Sequence, residues 1–191
     1  MIRLPSATSV ALTRLAAAAC FGGLLTVASV ASAQSAAPAD TARLHAADQS
    51  FIADGTQAVA TQRDAARIAT ARSADRDVKA FAERVSNDDA KITDALRAAS
   101  PRGVDVPKND PDAAVLASIN NLRGADFDKK YIEQVALAGE QKALSAFQAE
   151  IASGRDEQLK AAAKEALPTI QQHYAMAQEL AKRKHLSVTA Q

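Results

Sequence analysis

From about residue 41 onward, apolar residues recur at alternating spacings of three and four, the mark of helices with one buried stripe. The pattern predicts four long helices, over about Thr41 to Arg72, Asp75 to Ala99, Asp126 to Ser153 and Asp156 to Lys184. Asp75 reads as an N-cap after Ser73-Ala74, and Gly154 as a stop. Stretches of roughly 25 to 30 residues make rods of about 40 Å. The links at Ser73-Ala74 and Gly154-Arg155 are tight, so each pair is expected to form an antiparallel hairpin. The middle link, residues 100–125, carries the breakers Pro101, Gly103, Pro107 and Pro111, with a short capping helix expected over Asp112 to Leu122. The expected fold is all-α: an antiparallel four-helix bundle, residues 41–184, with a long crossover between its second and third helices.

Written out, each stripe contains one polar residue. The first runs Ile52, Gly55, Val59, Gln62, Ala66, Ala69, and the second Val78, Ala82, Val85, Asp89, Ile92, Leu96, Ala99. The third runs Leu137, Glu140, Leu144, Phe147, Ile151, and the fourth Leu159, Ala163, Ala166, Ile170, His173, Ala177, Leu180. With both tight turns at one end of the bundle, Gln62, Asp89, Glu140 and His173 would fall within a band about 10 Å deep. Pro168, a turn and a half before His173, is placed to kink the fourth helix.

Two ionised carboxylates in such an interior would cost several kcal/mol each without compensation. Three resolutions are open: a shared proton, an imidazolium at His173 aided by Gln62, or a bound cation. Helical bundles do hold metals with inward carboxylates and histidines, but the Glu-x-x-His pairs of a di-iron site are missing, since Ser86 and Ile170 stand three residues before Asp89 and His173. The choice is therefore between a hydrogen-bonded network and a single divalent metal at Gln62, Asp89, Glu140 and His173.

The segment before the first helix has a different pattern. Arg3 and Arg14 precede an uncharged run from Leu15 to Ala33 ending Ala31-Ser32-Ala33, and no acidic residue occurs before Asp40. This is the layout of a signal peptide over residues 1–33 cleaved after Ala33, with 34–40 as a disordered lead-in and 185–191 as a tail. The expected location is the periplasm, with lipid attachment at Cys20 as the alternative. Gly22 and Gly23 make the run a poor permanent membrane span. Cys20 is the only cysteine, so cleavage leaves a chain indifferent to an oxidising compartment.

Composition agrees with a helical reading. Of 191 residues 48% are hydrophobic but only 4% aromatic, with no Trp, which disfavours a β-sandwich or barrel. A net charge of +1 gives no bulk attraction for nucleic acid.

Four further pieces stand out: Val78-Lys79-Ala80-Phe81-Ala82-Glu83-Arg84-Val85 with Asp88 after it; Leu122 to Tyr131, containing Phe127-Asp128-Lys129-Lys130-Tyr131; Glu140 to Phe147; and Leu167-Pro168-Thr169-Ile170-Gln171-Gln172-His173. On these the chain, from Phe51 to Leu180, resembles the domain-of-unknown-function 4142 family of exported bacterial proteins. The resemblance implies a ferritin-like helical bundle. At the four stripe positions the family pattern has Glu, His, His and His; here Gln62, Asp89 and Glu140 replace the first three and His173 keeps its type. Carboxylate in place of imidazole moves any metal site towards harder cations.

Other residues carry simpler readings. His45 and His185 are expected to lie exposed at the bundle end opposite the tight turns, and Tyr131, Phe127, Phe147 and Tyr174 in the core. Lys182-Arg183-Lys184 complements the dipole of the last helix. Gly139, beside Glu140, costs about 1 kcal/mol against Ala in a helix interior, which suggests close helix approach or local opening. No nucleophile stands at useful spacing from a base, and phosphate-binding and dinucleotide loops are missing. The expectation is a non-catalytic periplasmic protein with a binding or envelope-stress accessory role. It needs no cofactor and has no nucleic-acid partner and no membrane span after cleavage; its partner is not set by the sequence, with an envelope protein as one candidate. The alternatives are a metal-binding, possibly redox-active bundle centred on Asp89, Glu140 and His173, and an interaction module using Pro101 to Gly124.

Overall fold

The computed structural model describes residues 44–104, 106 and 110–186. The proposed signal peptide, lead-in, Cys20 and most of the tail lie outside them. Chain contacts divide the protein into Met1–Ala39, outside the described residues, and Asp40–Gln191. Among the described residues there is no strand.

Five helices make up the described part. α1 is the unbroken run Ala46–Ser50, a π-helical turn Phe51–Gly55, and Thr56–Arg72. α2 spans Arg76–Ala98 and α3 Ala113–Asn120. α4 runs through Gly124–Lys130, a second π-helical stretch Tyr131–Leu137, and Ala138–Ser153. α5 spans Glu157–Arg183 and continues unbroken past Pro168. Asp75, Asp112 and Asp156 cap α2, α3 and α5, each accepting two backbone N–H bonds that the first helical turn leaves unsatisfied.

α1 packs on α2 and α4 on α5, and the pairs join through α2 with α5 and α1 with α4. The tight turns lie at opposite ends, which corrects the expectation that they share one. Asp48, at the start of α1, accepts the N–H groups of Arg155 and Asp156 in the second turn. Lys184, at the end of α5, reaches Asp75 in the first. His45, the N-cap of α1, and His185, just past α5, therefore lie at opposite ends too. His185 is exposed; His45 is half-buried, its Nδ1 accepting from the Ala47 N–H. The cause is the crossover, which carries the chain back along the bundle. Arg72 donates to the Asn120 carbonyl near one end, and Val106 is buried with Phe51, Leu96 and Phe147 near the other.

The stripes of α1 and α5 are buried at every expected position. In α2 only Ala99 is partly exposed. α4 departs: Leu137, Leu144 and Ile151 are half-buried, while Tyr131, Val135, Ala136, Glu140, Ala143, Phe147 and Glu150 face inward. The inward run reaches Glu140 from Ala136, four residues earlier, and continues through Ala143, Phe147 and Glu150 at alternating threes and fours, so Leu137, Leu144 and Ile151 flank the inward face while Glu140 and Phe147 keep their expected places.

The apolar interior has two parts. One gathers Ala65, Val78, Phe127, Tyr131 and Leu180 near the Ser73 turn; the other gathers Phe51, Leu96, Phe147 and Leu159 near the Gly154 turn. Between them lie the polar positions of the four stripes.

Candidate functional site

α2 contributes Asp88 and Asp89, α4 contributes Glu140, three residues past the end of its π-helical stretch, and α5 contributes His173. His173 is wholly buried, with Glu140 1% and Asp89 2% exposed. His173 Nε2 lies 3.3 Å from Asp88 Oδ2, and Nδ1 lies 3.6 Å from Glu140 Oε1 and 3.9 Å from Asp89 Oδ1. Only the first is a hydrogen bond; the other two are electrostatic approaches without closed geometry.

Asp88 lies outside the sequence-predicted set, because a stripe of threes and fours takes one residue per turn and Asp89 fills the place. It sits at the rim, bonded to the exposed Arg84 and, at 3.1 Å, to Lys91 Nζ. Burial pushes its carboxyl up, but the bonds from Arg84, Lys91 and His173 override this and hold it at about 2. An ionised Asp88 facing Nε2 keeps the proton on that nitrogen, a carboxylate–imidazole arrangement that fixes the tautomer.

The inner side is less settled. Asp89 Oδ2, Glu140 Oε1 and His173 Nδ1 are all buried and all lack a hydrogen-bond partner. Burial drives the Asp89 carboxyl well above its ordinary value, helped by the charges of Glu140 and Asp88. Burial also raises Glu140, against the pull of His173. For His173 burial opposes the charged ring, yet the Glu140 and Asp88 carboxylates outweigh it and raise the imidazole. Tyr131, first residue of the π-helical stretch, has a buried hydroxyl without a partner, raised well above its ordinary value by burial and by Glu140 and Asp89. It belongs to the core, as expected from sequence, and its ring stacks 6.1 Å from Phe127.

Gln62 occupies the same layer but uses its amide elsewhere. Nε2 donates to the Val135 carbonyl at 3.0 Å, inside the π-helical stretch. A Cβ at residue 139 would lie 2.7 Å from that Nε2. Gly139 is thus a point of close approach between α1 and α4.

With Nε2 protonated, a neutral His173 points the Nδ1 lone pair at two carboxyl groups. A positive charge must lie between them: one or more protons, or a metal ion. Among the described residues, no three His, Cys, Asp or Glu side chains are already gathered as a metal-binding group. Ligand atoms about 2.1 Å from one ion stand roughly 3.0–3.5 Å apart, slightly closer than the separations here. The donor set nevertheless fits: two carboxylates and one imidazole, all dry and unpartnered, balance a divalent charge.

These features define an all-helical bundle with a buried acid–imidazole centre. The family model described as Domain of unknown function (DUF4142) matches residues 33–180, and the chain belongs to that family. No curated protein and no solved structure matches it. Among the described residues, no helix is long and apolar enough to cross a membrane.

Proposed function

We propose that this chain is a non-catalytic binding protein of the bacterial periplasm, an antiparallel ferritin-like four-helix bundle that takes one divalent cation at Asp89, Glu140 and His173. One observation carries the reading: Asp89 Oδ2, Glu140 Oε1 and His173 Nδ1, from three helices, are all buried without hydrogen-bond partners, and that ring nitrogen lies within 3.9 Å of both carboxyl groups. The oxygen-rich set favours a hard or borderline ion such as manganese or ferrous iron over copper. When bound, the ion supplies the positive charge that lets both carboxylates ionise in a dry interior. Asp88 holds the ring from outside, so its role is positioning. The burial of the centre and its lack of a neighbouring nucleophile support storage, sensing or stabilisation over turnover. The periplasmic assignment rests on Arg3, Arg14 and the Leu15 to Ala33 run.

A second reading, protons only, draws support from the raised carboxyls of Asp89 and Glu140. One experiment separates the two. Untagged protein isolated from the periplasm is analysed for metals, beside Asp89→Asn and Glu140→Gln, which preserve shape and remove charge. Near-stoichiometric metal in the native chain, lost in both variants, supports the cation site. Metal-free protein that gains no thermal stability from added manganese, iron(II) or zinc overturns it and leaves the protonated network.

A further inference from the structure

A second pair of carboxyl groups lies away from this centre, at the Gly154 turn. Asp48, in the first turn of α1, is 1% exposed, and its Oδ1 accepts from the N–H groups of Arg155 at 2.8 Å and Asp156 at 3.0 Å. Asp48 thus bonds both of these turn amides from a different hairpin. Glu150, in the last turn of α4, is also 1% exposed, and neither of its oxygens has a hydrogen-bond partner of closed geometry. Its carboxyl faces Asp48, and a Cβ at 154 would collide with its Oε1, so Gly154 leaves the space it occupies.

The charged groups around the pair come from every neighbouring element. α5 brings the Asp156 carboxylate and the Lys160 ammonium, and His45 lies on the α1 side. Two carboxyl groups in contact and out of water cannot both stay charged. Asp48 is the one that ionises: burial works against its charge, but the two turn N–H groups and the Glu150 carboxyl outweigh that and lower it. Glu150 therefore holds the proton and turns it towards Asp48.

We propose that one proton shared by Glu150 and Asp48 fastens the start of α1 to the α4–α5 turn, and that its loss releases this end of the bundle. Deprotonation puts a second negative charge against Asp48 and beside Asp156, with Lys160 as the partial counterweight. Burial, then the charge and hydrogen bond of Asp48, lift Glu150 from 4.5 to about 7. A raised carboxyl stabilises the folded state fully below its ordinary value and loses that contribution as pH climbs to the raised one. The fastening is thus complete near pH 4.5 and undone above about pH 7.

Hydrogen–deuterium exchange of the full chain tests this, with protection over residues 44–55 compared at pH 5 and pH 8.5 after correction for intrinsic exchange. The native chain should lose roughly tenfold or more in protection at the higher pH. Glu150→Gln, whose amide donates to Asp48 at any pH, should keep its protection at both. Glu150→Ala should be loose at both, which preserves the test if the glutamine variant does not fold. Equal protection of the native chain at the two pH values overturns the proposal, as does a Glu150→Gln chain that loosens with pH as the native one does.

Discussion

His173 stands between carboxylates that need it more than it needs them. Removing it leaves Asp89 and Glu140 buried with only the charge of Arg63 acting in their favour, while Asp88 keeps Arg84 and Lys91. His173→Ala should therefore destabilise the protein by about 3–5 kcal/mol in chemical denaturation at pH 7, the usual cost of orphaning a buried charge. In metal-free protein Asp89→Asn should be within about 1 kcal/mol of native or more stable, because it removes a charge that burial already opposes. Gly139 offers a test of close approach. A methyl there displaces the Gln62 amide from Val135, so Gly139→Ala should cost about 1–2 kcal/mol despite the gain in helix propensity. Combined with Gln62→Ala the penalty should shrink well below the sum of the single changes, as a double-mutant cycle on denaturation midpoints would show. Sequence periodicity reaches Gln62, Asp89, Glu140 and His173 because each interrupts an apolar run. It does not reach Asp88, whose burial depends on the reach of Arg84 and Lys91, nor Gln62's choice of a backbone carbonyl, which depends on the other hairpin.

At the scale of elements, the legible parts are those set by local chemistry. Asp75, Asp112 and Asp156 cap helices because a short carboxylate satisfies free N–H groups within three residues. Residues that seat a π-helical turn have no comparable signature. The stripe of α4 reads wrongly at Leu137, Leu144 and Ile151 because these large apolar residues flank an inward face whose own positions, Ala136, Ala143 and Glu150, are small or charged. Inserting one alanine after Ala138, where the helix is already regular, should rotate everything after it by about 100° relative to the preceding half. Glu140 and Phe147 would both leave the interior, so the insertion should cost several kcal/mol and abolish metal retention. If that chain melts as the native protein does and still binds metal, Glu140 is not part of the site.

For the whole molecule, the two carboxyl centres act in the same direction on pH dependence. Asp89, Glu140 and Glu150 are raised from ordinary values of 3.8, 4.5 and 4.5, and His173 is raised from 6.5. All four bind protons more tightly when folded, so each withdraws stability as pH rises from its ordinary value through its raised one. Asp88, held at about 2, works the other way, and its contribution is lost only as pH falls from 3.8 towards 2. Metal-free protein should accordingly be most stable on the acidic side, near the ordinary carboxyl values of 3.8 to 4.5, and melt progressively lower towards pH 9. A divalent ion would replace the protons at the inner centre and lift the alkaline limb, since it binds best when Asp89 and Glu140 are ionised and His173 is neutral. Glu150, remote from that ion, would keep its own share of the decline. Thermal melts from pH 4 to 9, with and without the metal found in the isolated protein, should therefore give two curves that converge in acid and separate above pH 6. The Glu150→Gln chain should be flatter than native under both conditions. Melts that fall towards acid and hold level to pH 9 would show that the buried carboxyls stay ionised in the metal-free fold, compensated by a charge other than their own protons.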